Sequence, residues 1–336
     1  MSSAPPVSEI AAGPAWLAQA MDAASGNVRF VRMTPDDYRN ASFLDDRIFQ
    51  VAREHHILPW EAATAALPAD ARADARWIFH IGHVGSTLIS RLVGEFPRVL
   101  SLREPRILRD LAGASAAIDR YIPGLRKLVS RTFAPGDIAV VKATSFASEL
   151  AGALVPEDGL ALFVHASPQA YFGTCLAGEN TMREVAALAP ARRDRMKGRV
   201  SLDGITDRSA HLVAAAWACE MTALELAATS LPPGAVHWLD FDQFLADVPG
   251  ELSRVAAFLG LDAPAGQIAE IADGPLLGRY SKALEYDYSP DLRRQLIDAA
   301  SAEHAGDIDR ALAMLSAAAQ ESPLLARALD RSTGEG

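Results

Sequence analysis

The chain has 336 residues, half of them hydrophobic, and a formal net charge of −10. That hydrophobic content supports a sizeable core and excludes wholesale disorder. The acidity argues against general nucleic-acid binding, which depends on neutralising many phosphates with Lys and Arg. Two cysteines, Cys175 and Cys219, make neither a disulfide framework nor a zinc cluster and read as small core residues. The N-terminal stretch MSSAPPVSEIAAGPAW lacks the basic start and apolar run of a signal peptide. No apolar run approaches the ~20 residues that span a bilayer. The expectation is a cytoplasmic protein with no membrane span and no nucleic-acid partner.

In chain order, residues 1–70 are Ala-rich and mixed and read as a mostly helical extension, including a helix over Trp60–Leu67 and another over Asp70–Ala75. From Trp77 the pattern changes. WIFHI (77–81) is a buried strand bounded by Gly82, and Ser86–Glu95 places Leu88, Ile89, Leu92 and Val93 at helical spacing. Further strands follow at Val99–Leu102, DIAVVK (137–142), LALFVH (160–165) and AVHWLDF (235–241). Between them lie a helix opened by Ser167-Pro168, a long Ala-rich helix over Ser209–Thr229, and a helix ending at Gly260. Strands alternating with helices predict an α/β fold, a three-layer parallel sheet with helices on both faces. The Gly-, Pro-, Tyr- and Asp-rich segment Asp273–Ser289 reads as a long loop, and Ser289-Pro290 opens a helical C-terminal tail. The chain divides into an extension (1–70), a core (71–290) and a tail (291–336).

The strongest local signal is HIGHVGSTLISR (80–91). A tight glycine turn between strand and helix exposes successive backbone N–H groups, and with the helix's positive end they form an anion site. Gly82 and Gly85 let the backbone approach a ligand; Ser86 and Thr87 supply hydroxyls. The same residues also fit an ordinary turn with Ser86 as N-cap. The loop departs from G-x-x-x-x-G-K-[ST], because Gly85 stands where the lysine that reaches terminal phosphates would be. Asp240 and Asp242 follow a strand but open a helix, where capping is the plainer role.

Two regions together resemble the P-loop-related sulfotransferases: Gly85-Ser86-Thr87-Leu88, and VHWLDFDQFLADVPGELSRVAAFLGL (236–261), about 150 residues later and in the family's order. The resemblance covers roughly residues 76–290. It implies 3′-phosphoadenosine 5′-phosphosulfate as co-substrate, no metal, and a hydroxyl or amine acceptor whose identity the sequence leaves open. It implies that Gly82, His83, Val84, Gly85, Ser86, Thr87 and Leu88 hold the 5′-phosphosulfate. Lys142 sits where the family places a lysine near the bridging oxygen. Glu104, at the next strand end, is the candidate base, because Thr144 occupies the position of a histidine that serves some relatives; a partnership with Arg103 or Arg106 is its structural alternative. His83 stands where the family has Lys or Arg and is the rival base. Around Pro168 the family's 3′-phosphate serine is Thr174 and its arginine is Ala166, with His165 and Ser167 beside it as substitutes. Arg279, Ser281 and Lys282 are candidates to close over the nucleotide. The basic run ARRDRMKGR (191–199) reads as a solvated helix face or a lid over anions. A kinase-type P-loop enzyme and a catalytically inactive sulfotransferase-like binder remain as alternatives.

Overall fold

The computed structural model describes residues 6–114, 118–278 and 289–332. Its core is a five-stranded, all-parallel sheet of β4 (Arg76–His80), β5 (Val99–Arg103), β6 (Ile138–Lys142), β7 (Ala161–His165) and β8 (Val236–Asp240), in the order β5-β6-β4-β7-β8. All five residues of β7 are buried, as are four of the five in β4, β5 and β6, so both faces of the sheet are covered. This is the burial that consecutive apolar residues in a parallel sheet demand, and the predicted α/β class holds. One face carries an aromatic ladder: Trp77 stacks on Phe79, Phe79 meets Phe163 edge-on, and Phe163 meets Trp238 at 5.1 Å.

The connections set where a ligand can lie. From β4 the chain runs to β5 on one side, while from β7 it runs to β8 on the other. Strand order therefore reverses around β4, and in open parallel sheets ligands sit at such a reversal, outside the carboxyl ends of the strands. The glycine loop follows the carboxyl end of β4.

The N-terminal extension differs from expectation. It holds a three-stranded antiparallel sheet of β1 (Trp16–Asp22), β2 (Asn27–Arg32) and β3 (His55–Pro59), in that order, with short helices at Val7–Ala12, Pro35–Asn40, Asp46–Gln50 and Trp60–Ala65. The Ala content of WLAQAMD suggested helix, but six of its seven residues are buried and it pairs with NVRFVR, whose Val28 and Phe30 face the core. The stretch 70–75 is not helical. Arg103 ties this extension to the core sheet. Its buried guanidinium donates to the carbonyls of Tyr38, of Arg39 at 2.9 Å and of Ala41 at 2.8 Å, satisfying the end of the Pro35–Asn40 helix. The Leu44 N–H donates back to the Arg103 carbonyl at 2.7 Å.

The helix Ser209–Ser230 is long and apolar enough to cross a bilayer by length and composition, yet most of it is buried within the fold. The helix Glu179–Met196 packs beside it and carries most of the basic run. The run is a solvated helix face in part, with Arg193 and Lys197 exposed, while its other arginines turn inward. Arg192 and Arg195 converge on the fully buried Glu220, and Arg195 and Arg199 on Glu149. The tail is helical as expected, at Pro290–Glu303, Ala305–Ala319 and Pro323–Ser332.

Candidate functional site

A cavity of about 720 Å³ opens at the carboxyl ends of the parallel strands, and the whole loop from Gly82 to Leu88 lines it. Gly82 (φ +82°), His83 (φ +54°) and Gly85 (φ +63°) are all left-handed, which turns the chain sharply from β4 into the helix Ser86–Gly94. Gly85, not Ser86, is the N-cap, and no side chain caps the helix. The first helical bond at this end runs from the Ile89 N–H to the Gly85 carbonyl, 3.1 Å. The N–H groups of Ser86, Thr87 and Leu88 precede it and are the donors that a helix start leaves for an anion. An ordinary turn capped by Ser86 is therefore not what the sequence builds.

Two contacts fix the loop. The Gly82 N–H donates to His80 Nδ1 at 3.0 Å, so the ring's proton sits on Nε2, which donates to the Ala143 carbonyl at 2.9 Å. His80 thus ties the end of β4 and the loop to the residue after β6. Beneath Gly85 lies Phe241, and a Cβ on Gly85 would fall 1.9 Å from its ring. Gly85→Ala is expected to cost about 1–2 kcal/mol through the left-handed backbone alone. Displacement of Phe241 or of the loop adds to that, so anion affinity should fall sharply. The double change Gly85→Ala with Phe241→Ala should recover part of it, as measured by nucleotide titration. Equal affinities in the single and double variants would show that the Phe241 contact is irrelevant.

At the neighbouring strand ends, Lys142 closes β6 and Glu104 follows β5. Lys142 is 1 % exposed and its ammonium donates to Glu104 Oε1; His80 Nε2 lies 3.7 Å from the same oxygen. Glu104 therefore partners Lys142, not Arg103 or Arg106. Arg103 bonds backbone carbonyls, and Arg106 pairs with Asp46 and Asp110. Glu104 has φ +50°, and its N–H donates to the Lys142 carbonyl at 2.7 Å. Of the three non-glycine residues with positive φ among the described residues, two, His83 and Glu104, line the cavity. Such backbone costs of order 1–3 kcal/mol each and persists where surrounding contacts over-determine it, commonly at functional sites.

The remaining expected residues divide. Thr174 lines the cavity, its hydroxyl donating to the Ala170 carbonyl at 2.8 Å. Ser167 caps the helix Pro168–Leu176, accepting from the Ala170 N–H at 3.2 Å. His165 is buried against Trp238. Neither residue is on the cavity wall. Burial, with Arg331 nearby, pulls the His165 imidazole down to about 4, so near neutrality it carries no charge with which to replace an arginine. His83 does line the cavity and faces Glu184 at 3.8 Å. Arg279, Ser281 and Lys282 lie outside the described residues.

The cavity also holds residues that sequence reasoning missed. Arg293 enters from the helix Pro290–Glu303, pairs with Asp242 at 2.5 Å and lies over the Phe241 ring at 5.1 Å. Phe43, Asp45 and Arg47 come from the N-terminal extension, and Arg109 from the helix after β5. No local pattern marks them, because the extension reaches the cavity through tertiary contacts, the Arg103 tether and the Arg106–Asp46 pair among them.

No family model matches the chain, and no curated protein matches it. Several solved structures resemble it, three sulfotransferases among them. A sulfotransferase domain from the curacin biosynthetic pathway is 12% identical, covers 72% of this chain and 97% of its own, and gives a TM-score of 0.43. Mouse sulfotransferase SULT7A1, complexed with PAP, is 13% identical, covers 77% and 89%, and gives 0.41. A sulfotransferase from Alicyclobacillus acidocaldarius is 14% identical, covers 72% and 95%, and gives 0.36.

Proposed function

We propose that the protein is a sulfotransferase that moves a sulfuryl group from 3′-phosphoadenosine 5′-phosphosulfate to a hydroxyl or amine acceptor by metal-independent in-line transfer. The observation that carries this reading is one cavity holding both an uncapped helix N-terminus behind the strained Gly82–Gly85 turn and a buried Lys142–Glu104 pair. The first is an anion cradle, and the second couples a fixed positive donor to a base. A kinase-type reading lacks its lysine, since Gly85 stands there. Asp240 is engaged as a cap, its Oδ1 accepting from the N–H groups of Asp242 at 2.8 Å and Gln243 at 3.0 Å.

When bound, the donor supplies a sulfuryl group whose bond to the 5′-phosphate oxygen breaks as the acceptor oxygen or nitrogen bonds to sulfur. The chain's residues would do the rest. Ser86, Thr87 and Leu88 N–H groups and the Thr87 hydroxyl hold the phosphate. An incoming anion competes with Glu104 for the Lys142 ammonium. Lys142 then stabilises the negative charge left on the leaving phosphate, and Glu104, released, takes the acceptor's proton. Arg293 supplies positive charge on the Phe241 side, where Ala166 and the neutral His165 supply none.

Thr87→Ala is expected to leave the fold intact and weaken nucleotide binding by about 1.5–3 kcal/mol, the range for a hydrogen bond to a charged group. Unchanged affinity in a folded variant would reduce the loop to a turn. The function itself is tested with sulfur-labelled donor in EDTA against a panel of phenols, alcohols and amines. Label should move to an acceptor in the wild type and much less in Thr87→Ala. Label moving instead from the γ-phosphate of ATP, and only with magnesium, would overturn the proposal.

A further inference from the structure

The two halves of the cavity are chemically distinct. Toward β4, β7 and β8 it is lined by the glycine loop, Thr174, Phe241 and Arg293, and this half suits the nucleotide. Toward β5 it is lined by Glu104, Phe43, Asp45, Arg47 and Arg109, beyond the Lys142–Glu104 pair. A second substrate whose hydroxyl meets Glu104 must lie in that second half.

Its charges do not balance. Asp45 accepts from Arg47 Nε at 2.8 Å and Nη2 at 2.6 Å, and Arg109 Nη2 is 3.8 Å from the same carboxylate. Two guanidiniums against one carboxylate leave one positive charge. The adjacent cluster has Arg29 and Arg106 against Asp46 and Asp110, and there two positives meet two negatives. Asp45 is itself fixed, because its Oδ1 also accepts from the Arg47 N–H as the cap of the short helix Asp46–Gln50. The arginines are available to a ligand: their side chains are 50 % and 58 % exposed, and Arg109 touches Asp45 with only one edge of its fork. Arg47 lies over the Phe43 ring, its Cζ 3.4 Å from the centroid, which holds its guanidinium at the cavity wall. In a chain of net charge −10, such a local surplus beside a candidate base selects for an anion.

We propose that the acceptor is an anionic hydroxyl compound, a carboxylate-bearing phenol or alcohol, whose anion is held by Arg109 and Arg47 while its hydroxyl meets Glu104 and its apolar body rests against Phe43. This rests on the sulfotransferase reading of the same site. The acceptor's O–S bond forms as the sulfur–phosphate oxygen bond breaks, and its proton passes to Glu104. The arginines act on binding alone.

The test uses the full chain saturated with adenosine 3′,5′-bisphosphate and titrated with a matched pair, 3-(4-hydroxyphenyl)propionate and its neutral amide. The carboxylate should bind at least about tenfold more tightly, as for a hydrogen bond to a charged group. Arg109→Gln should erase the preference while leaving bisphosphate affinity and thermal midpoint unchanged; Arg47→Gln should reduce it. Both side chains are half exposed or more, so the fold does not depend on them. Equal binding of carboxylate and amide, binding of neither, or a preference that survives in Arg109→Gln would overturn the proposal. Loss of bisphosphate affinity in Arg109→Gln would also overturn it, by assigning the arginine to the nucleotide. Failure of the wild type to bind bisphosphate at all is a separate outcome, which removes the sulfotransferase reading and this proposal with it.

Discussion

Glu104→Gln is expected to lower turnover by roughly 10²–10⁴-fold, the usual contribution of a positioned general base. Nucleotide affinity should hold or rise, because the Lys142 ammonium would no longer face a charged carboxylate within the cavity and would be more attractive to an incoming anion. This separation of turnover from binding distinguishes a base from a structural partner of Lys142. A purely structural Glu104 would lose stability and nucleotide binding together. His83→Gln supplies the contrast. His83 lies inside the glycine loop in strained backbone, so its change should weaken nucleotide binding and turnover in step. Single-turnover rates and bisphosphate titrations on both variants decide the matter, and a fully active Glu104→Gln protein removes Glu104 from the chemistry.

The largest expected effect on stability lies away from the cavity. Glu220 is fully buried and meets Arg192 at 3.4 Å and Arg195 at 2.9 Å. Glu220→Ala strands the Arg192 guanidinium in the interior between the helices Glu179–Met196 and Ser209–Ser230 and leaves Arg195 with Glu149. Removing one partner of a buried ion pair costs about 3–5 kcal/mol, because the remaining charge is left without compensation. Glu149, which holds Arg195 and Arg199 nearer the surface, limits the loss but does not reach Arg192. Chemical denaturation should show a large drop in midpoint at unchanged slope. A loss under about 1 kcal/mol, typical of an exposed pair, would mean that water reaches these groups.

The parts of the fold that were legible are those where one physical signal dominates. WIFHI, DIAVVK and LALFVH are short apolar runs between turn residues, and only a strand buried on both faces fits them. Strand order was not legible, because five similar apolar runs carry no label for their neighbours. In the extension, NVRFVR does alternate and could have been read as a strand, but the alanines of WLAQAMD and the helix-like neighbours masked it. At the site, the glycine loop was readable because its backbone requirement falls on glycines. The sequence marks Lys142 and Glu104 only as separate residues; that they meet depends on the register of β5 against β6, where Arg103 lies opposite Lys142. Arg293, Phe43, Arg47 and Arg109 come from segments whose spacing says nothing about the cavity. The inward turn of Arg192, Arg195 and Arg199 is not readable in the run at 191–199, because their partners, Glu149 and Glu220, lie tens of residues away in sequence.

The Gly82–Leu88 cradle is expected to hold an adenosine 3′,5′-bisphosphate group without help from a metal ion. Calorimetric titration of the bisphosphate in EDTA, beside ATP with magnesium, tests it directly. Saturable one-site binding of the bisphosphate, weakened in Thr87→Ala and raising the thermal midpoint by mass action, is the predicted result. Tight binding of magnesium ATP with no measurable binding of the bisphosphate would contradict it.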